Sequence, residues 1–213
     1  MVAEHLIGFD ARFEPGLCSR YWEPMRRANF LLLAGTPVPL SIDSMVWPSV
    51  FLKANSPFPE LDEQAFEMPP LDAAISDAGL WGDLTVLKSQ LQTQISTTSA
   101  PHWIIGVTLL CDASAEVLAH LKMSQGPTQP AVIGPDWLLL GYDVADVSQT
   151  SGLSNCSYSP TEAFSIAAQW SRELNDFHLF DDWEKARAFA AMTDARMPSH
   201  SPFFAFGLWL IPS

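Results

Sequence analysis

The chain has 213 residues, of which 48% are hydrophobic and 16% are charged, and its 24 acidic and 11 basic side chains give a formal net charge of −13. This composition favours a folded chain over a disordered one, and the negative charge argues against binding to nucleic acid or to an anionic membrane. We expect one compact domain over residues 1–213, long enough to bury a core without disulfides or metal.

Four apolar segments predict β-strands. The first, residues 6–13, alternates and places Ile7, Phe9, Ala11 and Phe13 on one face. The other three are apolar at nearly every position, which predicts strands that are covered on both faces and lie in the interior of a sheet. They are residues 102–111, 137–147 and 203–211.

Residues 37–83 form an irregular, proline-rich and acidic segment within the predicted domain. Seven prolines between positions 37 and 70 exclude long regular elements. Interleaved apolar residues such as Trp47 and Phe51 indicate that the segment packs and is not a flexible linker. No basic residue occurs between Lys53 and Lys88, and we expect the acidic side chains there to bind a partner. They are Glu60, Asp62, Glu63, Glu67, Asp72, Asp77 and Asp83.

Four segments predict amphipathic helices. Leucines at three- and four-residue spacing mark residues 80–95, and Asp112 is a candidate cap for a helix over residues 113–123. The clearest start is Ser159-Pro160-Thr161-Glu162, a capping box followed by a stripe of Phe164, Ala167, Ala168 and Leu174. Asp181 or Asp182 is expected to cap the last helix. Its stripe is Trp183, Ala186, Phe189, Ala190 and Thr193.

The order of these elements predicts an α+β fold. We expect a mixed or mostly antiparallel sheet with the amphipathic helices packed on it. The central part of the chain is the strand over residues 137–147 with the helix that begins at Ser159, and we expect that helix to lie against the sheet.

Cysteine and histidine usage limits the possible chemistry. Three widely spaced cysteines form neither a disulfide framework nor a zinc motif, which indicates a reducing, cytoplasmic compartment. A basic and then apolar leader is absent from the first residues, and no apolar run approaches the ~20 residues of a membrane span. The five histidines do not form a metal-ligand pattern, so we expect neither a metal nor a cofactor.

Cys156 is the candidate nucleophile. It lies in the polar loop over residues 148–158, just before a helix start, where unpaired amides favour a thiolate. His178 or His200 is the candidate base, and Asp143 or Asp146 is the candidate group that orients it. The competing interpretation is that Cys156 is a small buried hydrophobe. Gly152-Leu153-Ser154-Asn155-Cys156 only begins like the Gly-x-Ser-x-Gly elbow of serine hydrolases.

Three functions remain open. The leading hypothesis is a cytoplasmic, immunity-type inhibitor that binds and neutralises a basic toxin or effector protein, because the chain is acidic and lacks a catalytic motif. The alternatives are a thiol-dependent or acid/base enzyme that uses the 148–158 loop, and an accessory or scaffold subunit that docks through residues 37–70. The sequence does not determine the oligomeric state.

Overall fold

The computed structural model of the protein describes residues 3–15, 40–43, 47, 50, 79–95, 101–111, 132–146, 149–153 and 158–212. Within them the chain forms four strands, β1 (Ala3–Phe13), β2 (His102–Cys111), β3 (Leu138–Ala145) and β4 (Phe204–Ile211). It also forms three α-helices, α1 (Leu84–Ile95), α2 (Pro160–Trp170) and α3 (Trp183–Arg196). The predicted helix over residues 113–123 lies outside the described residues.

The strands form one antiparallel sheet in the order β1-β2-β4-β3. The helices pack on this sheet, which confirms the predicted α+β class. As expected, β2 and β4 are central. Among the described residues, no helix combines the length and the apolar character needed to cross a bilayer.

The prediction that residues 137–147 form an interior strand is wrong, because β3 lies at one end of the described sheet. Its outer edge is nevertheless covered. Tyr142 and Phe180 exchange backbone hydrogen bonds of 2.8 and 2.9 Å, and the Gly152 amide donates to the Val144 carbonyl at 2.7 Å. Most β3 side chains are therefore buried on both faces, which gives an outer strand the composition of a central one.

Each outer strand has a bulge beside a glycine. The register shifts between Leu6 and Gly8 in β1 and between Leu139 and Gly141 in β3. A Cβ atom on Gly141, where φ is +139°, would lie 2.6 Å from the Cβ of Leu179. The glycine thus allows the chain around Leu179 to approach the sheet and cover its edge.

Helix α2 begins as predicted, but it buries a different face. The Ser159 hydroxyl accepts from the Glu162 amide while the Glu162 carboxylate accepts from the Ser159 amide. Ile166 is 1% exposed and faces the core, whereas Phe164 is 79% exposed. The predicted stripe through Phe164 and Ala168 is therefore wrong. The helix has a second set of apolar residues at helical spacing, and this set packs in the core beside the sheet. It consists of Ala163, Ile166, Ala167 and Trp170.

Helices α1 and α3 agree with their predicted stripes. Leu87 and Leu91 of α1 are buried, although the helix begins at Leu84 and Leu80 is buried in the segment before it. In α3 the Asp182 carboxylate accepts from the Glu184 amide at 2.8 Å. The buried residues of α3 are Ala186, Phe189, Ala190 and Thr193.

A buried arginine connects β1 to the described part of the proline-rich segment. The Arg12 guanidinium pairs with Asp10 at 2.8 Å and donates to the carbonyls of Trp47 and Ile42, the latter at 3.1 Å. Leu40, Ile42, Trp47 and Val50 are all buried. At these four described positions the segment packs on the fold as expected, and for residues 51–78, which lie outside the described residues, packing stays a prediction.

Candidate functional site

Most of the predicted acidic partner-binding residues lie outside the described residues. These are Glu60, Asp62, Glu63, Glu67, Asp72 and Asp77, and their role in partner binding stays a prediction. The hypothesis that residues 37–70 dock on a partner also stays a prediction. Asp83 is described and exposed. Its Oδ1 accepts from the amides of Thr85 at 2.7 Å and Val86 at 3.1 Å, so this carboxylate caps helix α1.

Asp143 is a buried junction between three parts of the chain. Its Oδ2 accepts from the Ser41 hydroxyl at 2.6 Å and the Ile42 amide at 2.9 Å. Its Oδ1 accepts from the Val144 amide at 2.8 Å and the Ser151 hydroxyl at 3.0 Å. This carboxylate therefore holds residues 41–42 and the 148–158 loop against β3.

Burial raises the pKa of the Asp143 carboxyl to about 6, against the opposing effect of the hydrogen bonds from Ser41, Ile42, Ser151 and Val144. All four of these donors belong to the protein. The observed contacts give Asp143 a structural role, and its predicted catalytic role stays a prediction.

The structure brings His200 and Asp146 together. The Nδ1 atom of His200 lies 3.0 Å from Oδ2 of Asp146. The Asp146 side chain is 4% exposed and also accepts from the Thr150 amide at 2.9 Å, whereas the His200 side chain is 42% exposed. A buried carboxylate therefore orients an accessible imidazole, which is the kind of arrangement that proton transfer by histidine requires.

The other candidate base, His178, occupies a tight turn. It is buried, has a φ of +60°, and its amide donates to the Asn175 carbonyl at 2.9 Å. The Asn175 side chain organises the same turn by accepting from the amides of Phe177 and Leu179. This geometry gives His178 a place in the turn that covers the edge of β3.

Cys156 lies outside the described residues, but both sides of its loop are anchored. On one side, Ser151 and Gly152 bind Asp143 and Val144 as described above. On the other side, the Tyr158 hydroxyl donates to the Gly152 carbonyl at 3.1 Å. The hypothesis that Cys156 is a nucleophile therefore stays a prediction.

A second acidic region is exposed around the start of α3. Four carboxylates in residues 176–184 are exposed, and we call them the 176–184 acidic surface: Asp176, Asp181, Asp182 and Glu184. Asp182 caps α3 and Asp181 accepts from the Asn175 side chain at 2.8 Å. The nearby Lys185 pairs with Glu173, and this hydrogen bond raises the pKa of Lys185.

No sequence pattern predicted a cluster of polar side chains on the sheet itself. Glu4, Thr108 and Trp209, on three different strands, are hydrogen-bonded to one another. They are more than 100 positions apart in the chain, so no local motif marks them. Only the strand register brings them together.

Among the described residues, no group of three or more histidine, cysteine, aspartate or glutamate side chains is placed to hold a metal ion. No protein-family model, curated protein or solved structure matches this chain.

Proposed function

We propose that the protein is a cytoplasmic, immunity-type inhibitor that binds and neutralises a basic toxin or effector protein. The observation that supports this proposal is the charge: the chain carries a formal −13, and the 176–184 acidic surface presents part of that charge to solvent. Complementary charge steers two proteins together and raises their association rate.

The first experiment is an affinity capture from native host lysate at low salt, repeated at high salt. We expect one stoichiometric, basic partner that is lost as the salt concentration rises. Failure to capture any salt-sensitive basic partner would contradict the proposal.

Matched variants then test the 176–184 acidic surface. Asp176→Asn with Glu184→Gln removes two exposed charges and spares Asp182, the cap of α3. The control is Asp136→Asn with Glu14→Gln, which removes the same charge elsewhere. We expect the first pair to slow association several-fold more than the control, and equal slowing would exclude this surface as the contact.

Acid–base catalysis is the second candidate function, because His200 and Asp146 form a hydrogen-bonded pair beside the 148–158 loop. With Nδ1 held by Asp146, Nε2 is the ring nitrogen that would accept a proton from a thiol or hydroxyl. The Cys156 thiol of this loop is the nucleophile that the hypothesis names.

The test is the rate of alkylation of each cysteine by iodoacetamide, followed by peptide mass spectrometry. We expect Cys156 to react about tenfold faster than Cys18 or Cys111, and His200→Gln to slow Cys156 alone. His102→Gln serves as the control histidine substitution. An inert Cys156, or equal effects of the two histidine variants, would exclude the thiol mechanism.

A further inference from the structure

A hydrogen-bonded triangle surrounds Gly207 on one face of the sheet. Glu4 Oε1 accepts from the Thr108 hydroxyl at 2.6 Å and from the Trp209 indole at 3.1 Å, and Trp209 Nε1 lies 3.0 Å from Thr108 Oγ1. A Cβ atom on Gly207 would lie 2.4 Å from Thr108 Oγ1 and 3.2 Å from Glu4 Oε1. The glycine therefore makes room for three polar groups to converge.

Tyr142 belongs to the same face. Gly207 pairs with Thr108 on one side and with Tyr142 on the other, and directly paired residues point to the same face of a sheet. Burial raises the pKa of the Tyr142 phenol, and the negative charges of Glu4 and Asp182 raise it further. The phenol thus lies within the field of two carboxylates.

The Glu4 carboxylate is positioned by two donors, the Thr108 hydroxyl and the Trp209 indole. Both hydrogen bonds reach Oε1, and no described residue donates to Oε2. Glu4 and Trp209 are partly exposed, while Thr108 is buried. The Glu4 carboxylate lies beside the Trp209 indole and has no cation partner among the described residues, and a carboxylate next to an aromatic ring is a favourable place for one.

We propose that Glu4 and Trp209, positioned by the buried Thr108, form a site, the Glu4 site, that receives a basic side chain of a protein partner. This proposal rests on the proposed function, because it names a contact through which a basic partner is held. A guanidinium fits this chemistry better than an ammonium, since its planar fork pairs with a carboxylate and stacks on aromatic rings.

The test uses a hexa-arginine peptide at low salt, with binding measured by isothermal titration calorimetry. Glu4→Gln keeps an oxygen that accepts from Thr108 and Trp209 but removes the charge. The matched control is Glu14→Gln, which removes the same charge just beyond the other end of β1. We expect Glu4→Gln to weaken binding about tenfold and Glu14→Gln less than twofold.

A second measurement does not depend on the folding of any Glu4 variant. Tyr142 is titrated by its phenolate absorbance in the wild-type protein, with Tyr142→Phe used to subtract the other two tyrosines. A guanidinium bound at the Glu4 site favours the phenolate, so hexa-arginine should lower the pKa of Tyr142. An unchanged Tyr142 titration in saturating peptide would overturn the proposal.

The outcomes separate this site from the proposed function. Equal weakening by Glu4→Gln and Glu14→Gln, or no binding of hexa-arginine, excludes the Glu4 site even where affinity capture finds a basic partner. Failure of the capture experiment together with selective loss in Glu4→Gln would retain the cation site and reject the inhibitor function.

Discussion

At the residue scale, Asp143 shows how one side chain can organise distant parts of the chain. Ser41 and Asp143 are 102 positions apart, and their side chains are 2.6 Å apart. Removing a buried acceptor leaves its donors unsatisfied, which costs about 1–3 kcal/mol for each buried group. Asp143 is therefore expected to be among the most sensitive polar positions of the fold.

Asp143→Asn tests this role. The NH2 group of Asn replaces one carboxylate oxygen, and because it is itself a donor it cannot accept the hydrogen bonds that this oxygen accepted. Folding raises the pKa of Asp143 from 3.8 to about 6, so the folded state holds the proton more tightly than the unfolded state. The stability that protonation of this group contributes is fully present below pH 3.8 and is lost as the pH rises through about 6. We expect the stability advantage of the wild type over Asp143→Asn to be largest near pH 4 and to shrink as the pH rises to 7.

Urea unfolding between pH 4 and 8 measures this difference. Asp136→Asn, the same change at an exposed position of the turn before β3, should leave stability unchanged at each pH. A gap between the wild type and Asp143→Asn that does not vary with pH would show that this carboxyl does not titrate in the range.

At the element scale, local signals place the helices and the sheet selects which face each one buries. The capping box at Ser159 and the Asp182 cap act within one turn of helix, so their sequence patterns predicted two helix starts correctly. The buried face of α2 depends on what lies beneath it. Two apolar sets at helical spacing were possible, and the structure buries the set that contains Ile166.

Paired substitutions in α2 measure this choice. We expect Ile166→Ala to lower the free energy of unfolding by about 2–4 kcal/mol, because it leaves a cavity in the core. Phe164→Ala should change stability by less than about 0.5 kcal/mol, because the ring is largely in solvent. Thermal and urea unfolding of both variants provide the measurement, and a larger loss for Phe164→Ala would show that α2 is rotated.

At the scale of the whole molecule, the net charge acts on every encounter. If a basic protein is the partner, its association rate constant should fall steeply with ionic strength while the dissociation rate constant changes little. Stopped-flow mixing over a series of salt concentrations tests this expectation. An association rate that does not depend on salt would show that the −13 charge serves solubility and not recognition.

Features that local interactions control could be predicted from the amino-acid sequence. Apolar segments located the four strands, caps and periodicity located α1, α2 and α3, and the mixture of elements predicted the α+β class. His200 and Asp146 were also among the predicted candidates for acid–base chemistry, beside His178 and Asp143, because that chemistry is a property of the side chains. These features depend on neighbours within a few positions, which a sequence displays directly.

Features that depend on long-range pairing could be seen only in the folded protein. In the fold, β3 lies at the end of the described sheet, and α2 buries Ile166 while Phe164 is exposed. The fold also places His200 within hydrogen-bonding distance of Asp146. It also assembled the Glu4 site from three strands. Side chains separated by about 50 to 200 positions contact each other because of the strand order and register. Strand order and register depend on the packing of the whole sheet, and no single segment of the sequence specifies them.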